Sequence, residues 1–120
     1  MHAKYDLKIQ KAISRAISLI DQILNDQRTE SEDAKQALWH ASEETEYAAA
    51  VLSLTHGLTD FDPDFKESGH PKAEIDERIS FARTLLVDSL ELLETKPTLC
   101  YEKLRHAVQV LRKIRAEDLR

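Results

Sequence analysis

The chain has 120 residues, of which 42% are apolar and 32% charged, with only two glycines and three prolines. This composition is typical of one globular domain with a few long elements, and it excludes intrinsic disorder. The net charge of −5 argues against a dedicated nucleic-acid binder, because a basic patch supplies most of the affinity of such proteins. Cys100 is the single cysteine, no apolar run is long enough to span a membrane, and no signal-peptide core follows Met1. We therefore expect a cytoplasmic protein with no membrane association.

Apolar residues recur every three or four positions in the first fifth of the chain, which predicts a helix over residues 4–26. Its stripe is Ile9, Ala12, Ile13, Ala16, Ile17, Ile20, Ile23 and Leu24. A second helix is predicted over residues 30–56. A capping box formed by Thr29 and Glu32 favours this start, and Gly57 can take the left-handed conformation that ends a helix.

The second helix is apolar most of the way round between residues 47 and 54. One stripe consists of small and branched residues, namely Ala34, Leu38, Ala41, Thr45, Ala48, Ala49 and Leu52; the opposite side carries Tyr47, Ala50, Val51 and Leu54. Because a helix that is apolar on all sides is normally buried on all sides, this pattern predicts a central helix that the rest of the chain covers. Two covers for the opposite side remain open. One is a second copy of the chain, and the other is the 57–70 loop with Phe61 and Phe65.

Residues 57–70 are rich in Asp, Ser, Gly and Pro and predict a loop. Helices are predicted on either side of Thr95, over residues 71–94 and 97–117. Their stripes are Ile75, Ile79, Ala82, Leu86, Ser89, Leu90 and Leu93 in the third helix, and Cys100, Leu104, Ala107, Val108, Leu111 and Ile114 in the fourth.

An offset of 66 residues superimposes the first two helices on the last two without a gap, with ten identities in the 33 positions from Ile9 to Ala41. Shared helical periodicity explains part of this match, but the equal turn lengths and the pairing of Thr29 with Thr95 go beyond periodicity. The sequence therefore predicts an all-α fold. It is one domain over residues 1–120, a four-helix bundle of two similar antiparallel hairpins over residues 4–56 and 71–117, with a possible internal duplication.

Two pairs of polar residues are the first candidates for chemistry. His40 and His106 correspond under the offset, but both lie opposite their helices' main stripes, so we expect them to face solvent or an interface. Glu43-x-x-Glu46 resembles the magnesium-binding Glu-x-x-Glu of the all-α nucleotide pyrophosphatases, with Tyr47 where that family's pattern has a further Glu. The resemblance implies an alternative, a magnesium-dependent enzyme with a cleft between these carboxylates and those of the third helix.

A second alternative is nucleic-acid binding by the fourth helix. Residues 96–120 carry a net charge of +4, and Arg105 and Arg112 share one helix face. No aromatic stacking residue accompanies them, so a solvated basic face is the simpler interpretation.

The sequence shows no convincing catalytic, cofactor or metal site, with Glu43 and Glu46 as the weak metal candidates. We expect a small helical-bundle protein that acts through protein–protein interaction, as a self-associating structural or adaptor protein. A homodimer is the most concrete form of this hypothesis. Its expected interface consists of Tyr47, Val51, Leu54 and His40.

Overall fold

The computed structural model describes residues 3–26, 32–58 and 75–117, and these ranges contain four helices and no strand. The helices are α1 (Ala3–Asp26), α2 (Glu32–Thr55), α3 (Ile75–Leu92) and α4 (Pro97–Glu117). The all-α prediction is confirmed, and the predicted ranges agree to within two residues at every end that the structure describes. The predicted starts of the second and third helices, with the capping box and most of the 57–70 loop, lie outside the described residues.

The C-terminal end of α2 is closed by Gly57, as the sequence predicts. Its φ of +67° lies in the left-handed region, which a residue without a Cβ adopts at no steric cost. The next residue, Leu58, then donates its N–H to the carbonyl oxygen of Ser53 over 2.8 Å. This reverse hydrogen bond satisfies a carbonyl that the helix itself leaves unpaired.

The core consists of the four predicted stripes. Every residue of the first stripe of α2 is buried, and so is every residue predicted for the stripe of α4. The largest fully buried side chains are Ile9, Ile13, Ile20, Leu38, Leu52, Ile79, Leu86, Leu93, Leu104, Leu111, Ile114 and Thr45. The buried hydroxyl of Thr45 donates to the carbonyl oxygen of Ala41 at 2.7 Å, so its burial leaves no unsatisfied donor.

The helices form a ring in which α2 packs against α1 and α4, and α3 packs against α4 and α1. Within the described ranges, α2 and α3 lie diagonally across the ring with no pair of their Cα atoms within 8 Å of each other, and so do α1 and α4. Within the described residues of one chain, the second helix is therefore not covered on all sides, and the two covers considered for its opposite side, a second copy and the 57–70 loop, stay predictions. A helix in a four-membered ring has two neighbours, so α2 buries one stripe between α1 and α4 and keeps its opposite side outward.

Contacts at one end of the bundle fix the directions of the helices. Asp6 near the start of α1 lies 3.8 Å from His56 at the end of α2, and its charge also acts on Cys100 in the first turn of α4. The start of α1, the end of α2 and the start of α4 therefore share one end. Since α3 joins α4 through the short turn at residues 93–96, α2 and α3 run in the same direction on opposite sides of the ring.

Corresponding helices of the two hairpins are thus antiparallel neighbours, as a twofold axis perpendicular to the bundle would place them. Positions 34, 38, 41, 42, 45 and 48 are buried in α2, and all six positions 66 residues later are buried in α4. Glu46 and Arg112, which correspond under the same offset, touch each other. Residues close to a twofold axis contact their counterparts in the other hairpin in this way.

Candidate interaction surface on helix α2

The outward side of α2 carries a line of residues at alternating spacings of three and four, which we call the outer seam: His40, Glu43, Tyr47, Ala50 and Leu54. All five are exposed, with 47% of Tyr47 and 73% of Leu54 accessible to solvent. An alternating spacing of three and four is the pattern with which one helix lies along another over several turns. The structure thus presents an apolar strip, Tyr47, Ala50 and Leu54, at the C-terminal half of this seam.

Val51, the remaining residue of the predicted interface, is placed differently. It is half-buried and packs against the hydrophobic core. A change at Val51 would therefore disturb the bundle as well as its surface. The outer seam offers cleaner positions for testing an interface.

The second hairpin shows what the fold itself requires at these positions. The residue 66 positions after Tyr47 is the charged Lys113 of α4, whereas the counterpart of Leu54, Arg120, lies outside the described residues. The same helical position accepts a charged residue in one hairpin and a large apolar residue in the other. Folding of the bundle therefore does not require a large apolar residue at the position of Tyr47.

Trp39 is a functional candidate that the sequence analysis missed, because it belongs to neither stripe of α2. Its side chain is 47% exposed, and its ring meets that of His40 edge-on with centroids 5.3 Å apart. A large aromatic residue in an otherwise polar part of a helix was the available signal. Trp39 extends the exposed aromatic surface toward the N-terminal half of the outer seam.

The two corresponding histidines have different surroundings. His40 is exposed, as expected, whereas His106 is half-buried and packs edge-on against the ring of Phe81 from α3 at 5.3 Å between centroids. Burial lowers the pKa of His106, and the nearby charge of Lys103 lowers it further. We expected both histidines to face solvent or an interface; His40 is exposed, whereas Phe81 of the neighbouring helix partly covers His106.

The structure does not assemble the cleft that the magnesium alternative needs. One carboxylate oxygen of Glu46 accepts hydrogen bonds from Arg112, at 2.7 Å from Nε and 2.6 Å from Nη2. Glu43 is exposed, and α2 and α3 lie diagonally across the bundle in the described residues. A cation at Glu46 would have to displace the guanidinium that already neutralises its charge.

The basic face predicted for α4 is interrupted by the same ion pair. Of the two arginines on this face, Arg112 is held by Glu46 and Arg105 is half-buried. The described part of α4 therefore presents less free positive charge than its sequence indicates.

A second polar group, also missed from the sequence, lies at the end of the bundle. Asp6 Oδ1 and His56 Nε2 are buried atoms 3.8 Å apart, and Cys100 is a fully buried free thiol nearby. Burial raises the pKa of Cys100 to about 12, with a further contribution from the charge of Asp6. A thiol that stays protonated at neutral pH is a poor nucleophile, so this trio does not form an activated cysteine site.

Among the residues that the structure describes, no group of three His, Cys, Asp or Glu side chains is arranged to hold a metal ion. None of the described helices combines the length and apolar character needed to cross a lipid bilayer. Comparison of the chain with models of protein families, with curated proteins and with solved structures finds no match.

Proposed function

We propose that this protein acts through protein–protein interaction, as a self-associating structural or adaptor protein whose outer seam on α2 binds a second copy of the chain. The observation that carries the proposal is the exposure of Tyr47 and Leu54 on one helix face. The counterpart of Tyr47 in the second hairpin is the charged Lys113, so the fold does not require a large apolar residue at this position.

Burial of these two side chains provides a driving force. Complete burial of a large apolar side chain is worth about 1.5–3 kcal/mol, and most of the Leu54 side chain is still available for burial. In a twofold dimer each residue of the patch is buried twice, once in each copy, because both copies use the same patch. The apolar strip then forms the centre of the interface.

The rest of the seam provides the rim. A stable interface usually covers about 800 Å² on each partner, which is more than Tyr47, Ala50 and Leu54 offer alone. The α2 helix, at about 36 Å long, supplies the additional surface. His40 and Glu43 lie at the polar end, where an interface rim is normally polar and accessible to water.

Substitution of Leu54 by Glu tests the proposal. We expect the wild-type protein to be a dimer, and Leu54→Glu to be a monomer with unchanged helical content. Leu7→Glu is the matched control, because Leu7 of α1 is also an exposed leucine, with 52% of its side chain accessible, and it lies outside the seam. We expect Leu7→Glu to remain dimeric.

Light scattering over a range of micromolar concentrations measures the mass, and far-ultraviolet circular dichroism monitors folding. Wild-type protein that remains monomeric at high micromolar concentration contradicts the proposal. So does a wild-type dimer that persists unchanged in Leu54→Glu, because its interface must then lie elsewhere.

A further inference from the structure

We infer that the two α2 helices of the dimer pair antiparallel, about a twofold axis that passes between Ala48 and Ala49, so that Tyr47 of one copy lies against Ala50 of the other. This inference rests on the proposed function and specifies the geometry of its interface. It follows from the side-chain sizes and the charges along the outer seam.

The spacing of the seam supports a long, shallow pairing of two helices. The seam residues His40, Glu43, Tyr47, Ala50 and Leu54 alternate in steps of three and four, which keeps one side of a helix in contact with a partner helix over several turns. A contact limited to one end of the outer seam would leave the residues at its other end exposed to solvent.

Side-chain size favours the antiparallel register. In a parallel, in-register pair, each position meets its own copy, so Tyr47 would press against Tyr47 and Ala50 would face Ala50 across a gap. In the antiparallel pair, the large ring of Tyr47 meets the small Ala50 on both sides of the axis. Complementary sizes give the denser packing, and voids between apolar side chains are unfavourable.

Charge favours the same arrangement. A parallel pair brings Glu43 against its own copy and also aligns the acidic first turns of α2, where Glu32 and Asp33 are exposed. An antiparallel pair about residues 48 and 49 separates the two Glu43 positions by eleven residues along the helix axis, about 16 Å. This exceeds the distance of about 8 Å over which salt screens exposed charges under physiological conditions.

The antiparallel register also gives Glu43 a suitable neighbour. It places Glu43 opposite Leu54 of the other copy, at the border between the apolar strip and the polar end of the seam. The methylene groups of a glutamate can cover an apolar neighbour while its carboxylate stays in water. The carboxylates of the two Glu43 residues then do not face each other in the interface.

Distances between spin labels at two single positions test the inference. Nitroxide labels are attached to Gln36→Cys and, separately, to Glu43→Cys, both at exposed sites of α2. We expect the native Cys100 to take no label, because its side chain is fully buried. Wild-type protein treated in the same way checks that Cys100 takes no label.

Pulsed dipolar spectroscopy then measures the distance between the two labels of each dimer. For the antiparallel pair we expect an axial separation of about 38 Å at Gln36→Cys and about 16 Å at Glu43→Cys. A parallel pair gives the same short separation at both positions, close to the interhelical distance of about 8–10 Å plus the label arms. Adding Leu54→Glu to each labelled chain should abolish the dipolar signal.

The possible outcomes separate the two proposals. A long distance at Gln36→Cys and a short one at Glu43→Cys support the antiparallel pair. Short distances at both positions overturn it and leave self-association through α2 in place. Wild-type protein that is monomeric, or a dipolar signal that survives Leu54→Glu, overturns the proposed function and this inference with it.

Discussion

Replacement of Leu104 by alanine tests how the bundle is held together. Leu104 is fully buried near the middle of the α4 stripe. Its neighbours one turn away on the same face, Cys100, Ala107, Val108 and Leu111, are buried as well. Water therefore has no direct path to the space that the truncated side chain would leave.

The expected loss of stability follows from this burial. Leu→Ala removes three carbon groups, and at about 0.8 kcal/mol per group the lost transfer free energy is about 2.4 kcal/mol. A cavity that the surroundings cannot fill adds to this, so that buried leucines lose about 2–5 kcal/mol in total. For a 120-residue chain, a loss of 3 kcal/mol lowers the melting temperature by about 12 °C.

Urea unfolding at one fixed chain concentration measures the effect. Leu38→Ala is a matched variant, because Leu38 corresponds to Leu104 under the 66-residue offset and is also fully buried. We expect both variants to lose stability in the same range, and the exposed-site control Leu7→Ala to change by less than about 0.5 kcal/mol. A loss below about 0.5 kcal/mol in Leu104→Ala would show that the α4 stripe does not form the core described here.

Three further predictions concern titration and catalysis. Cys100 should not react with thiol reagents at pH 8 until the protein is unfolded. Because its pKa is raised from 9.0 to about 12 in the folded state, the stability it contributes is complete below pH 9 and is lost as the pH rises toward 12; Cys100→Ala should lack this component in urea melts. The pKa of His106 is lowered from 6.5, so its contribution is present above pH 6.5 and lost as the pH falls below the folded-state pKa; His106→Gln should lose less stability than wild type between pH 7 and pH 5. We expect no hydrolysis of nucleoside triphosphates with magnesium, and an activity that disappears in Glu43→Gln and Glu46→Gln would refute this.

The buried side of each helix could be predicted from sequence because a helix repeats every 3.6 residues and its core face repeats with it. Leu38, Leu52, Leu86, Leu104 and Leu111 were all expected in the core and are all fully buried. These predictions depend only on the order of apolar residues within one helix. They needed no knowledge of which helices are neighbours.

The sequence could not show which helix lies beside which, and the surroundings of the outer side of α2 and of His106 depend on that arrangement. The outward side of α2 has the same apolar character whether protein or solvent faces it, so the exposure of Leu54 had to be observed. His106 differs from His40 because Phe81 reaches it from α3. The pairing of Glu46 with Arg112 follows the repeat offset, but only the observed adjacency of α2 and α4 shows that this pair lies close to the twofold axis.

The arrangement of the hairpins has a consequence for the order in which the chain folds. Contacts inside the first hairpin become more local toward its turn, from the 50 residues between Asp6 and His56 to the 29 between Arg15 and Glu44. Contacts between the hairpins, such as those of Asp21 with Arg83 and Glu46 with Arg112, span 62 and 66 residues. Long-range contacts form late because the loop they close must first lose its conformational entropy. Each hairpin can therefore collapse on its own along a newly synthesised chain, and docking of the completed pair becomes the slow step that produces the native bundle.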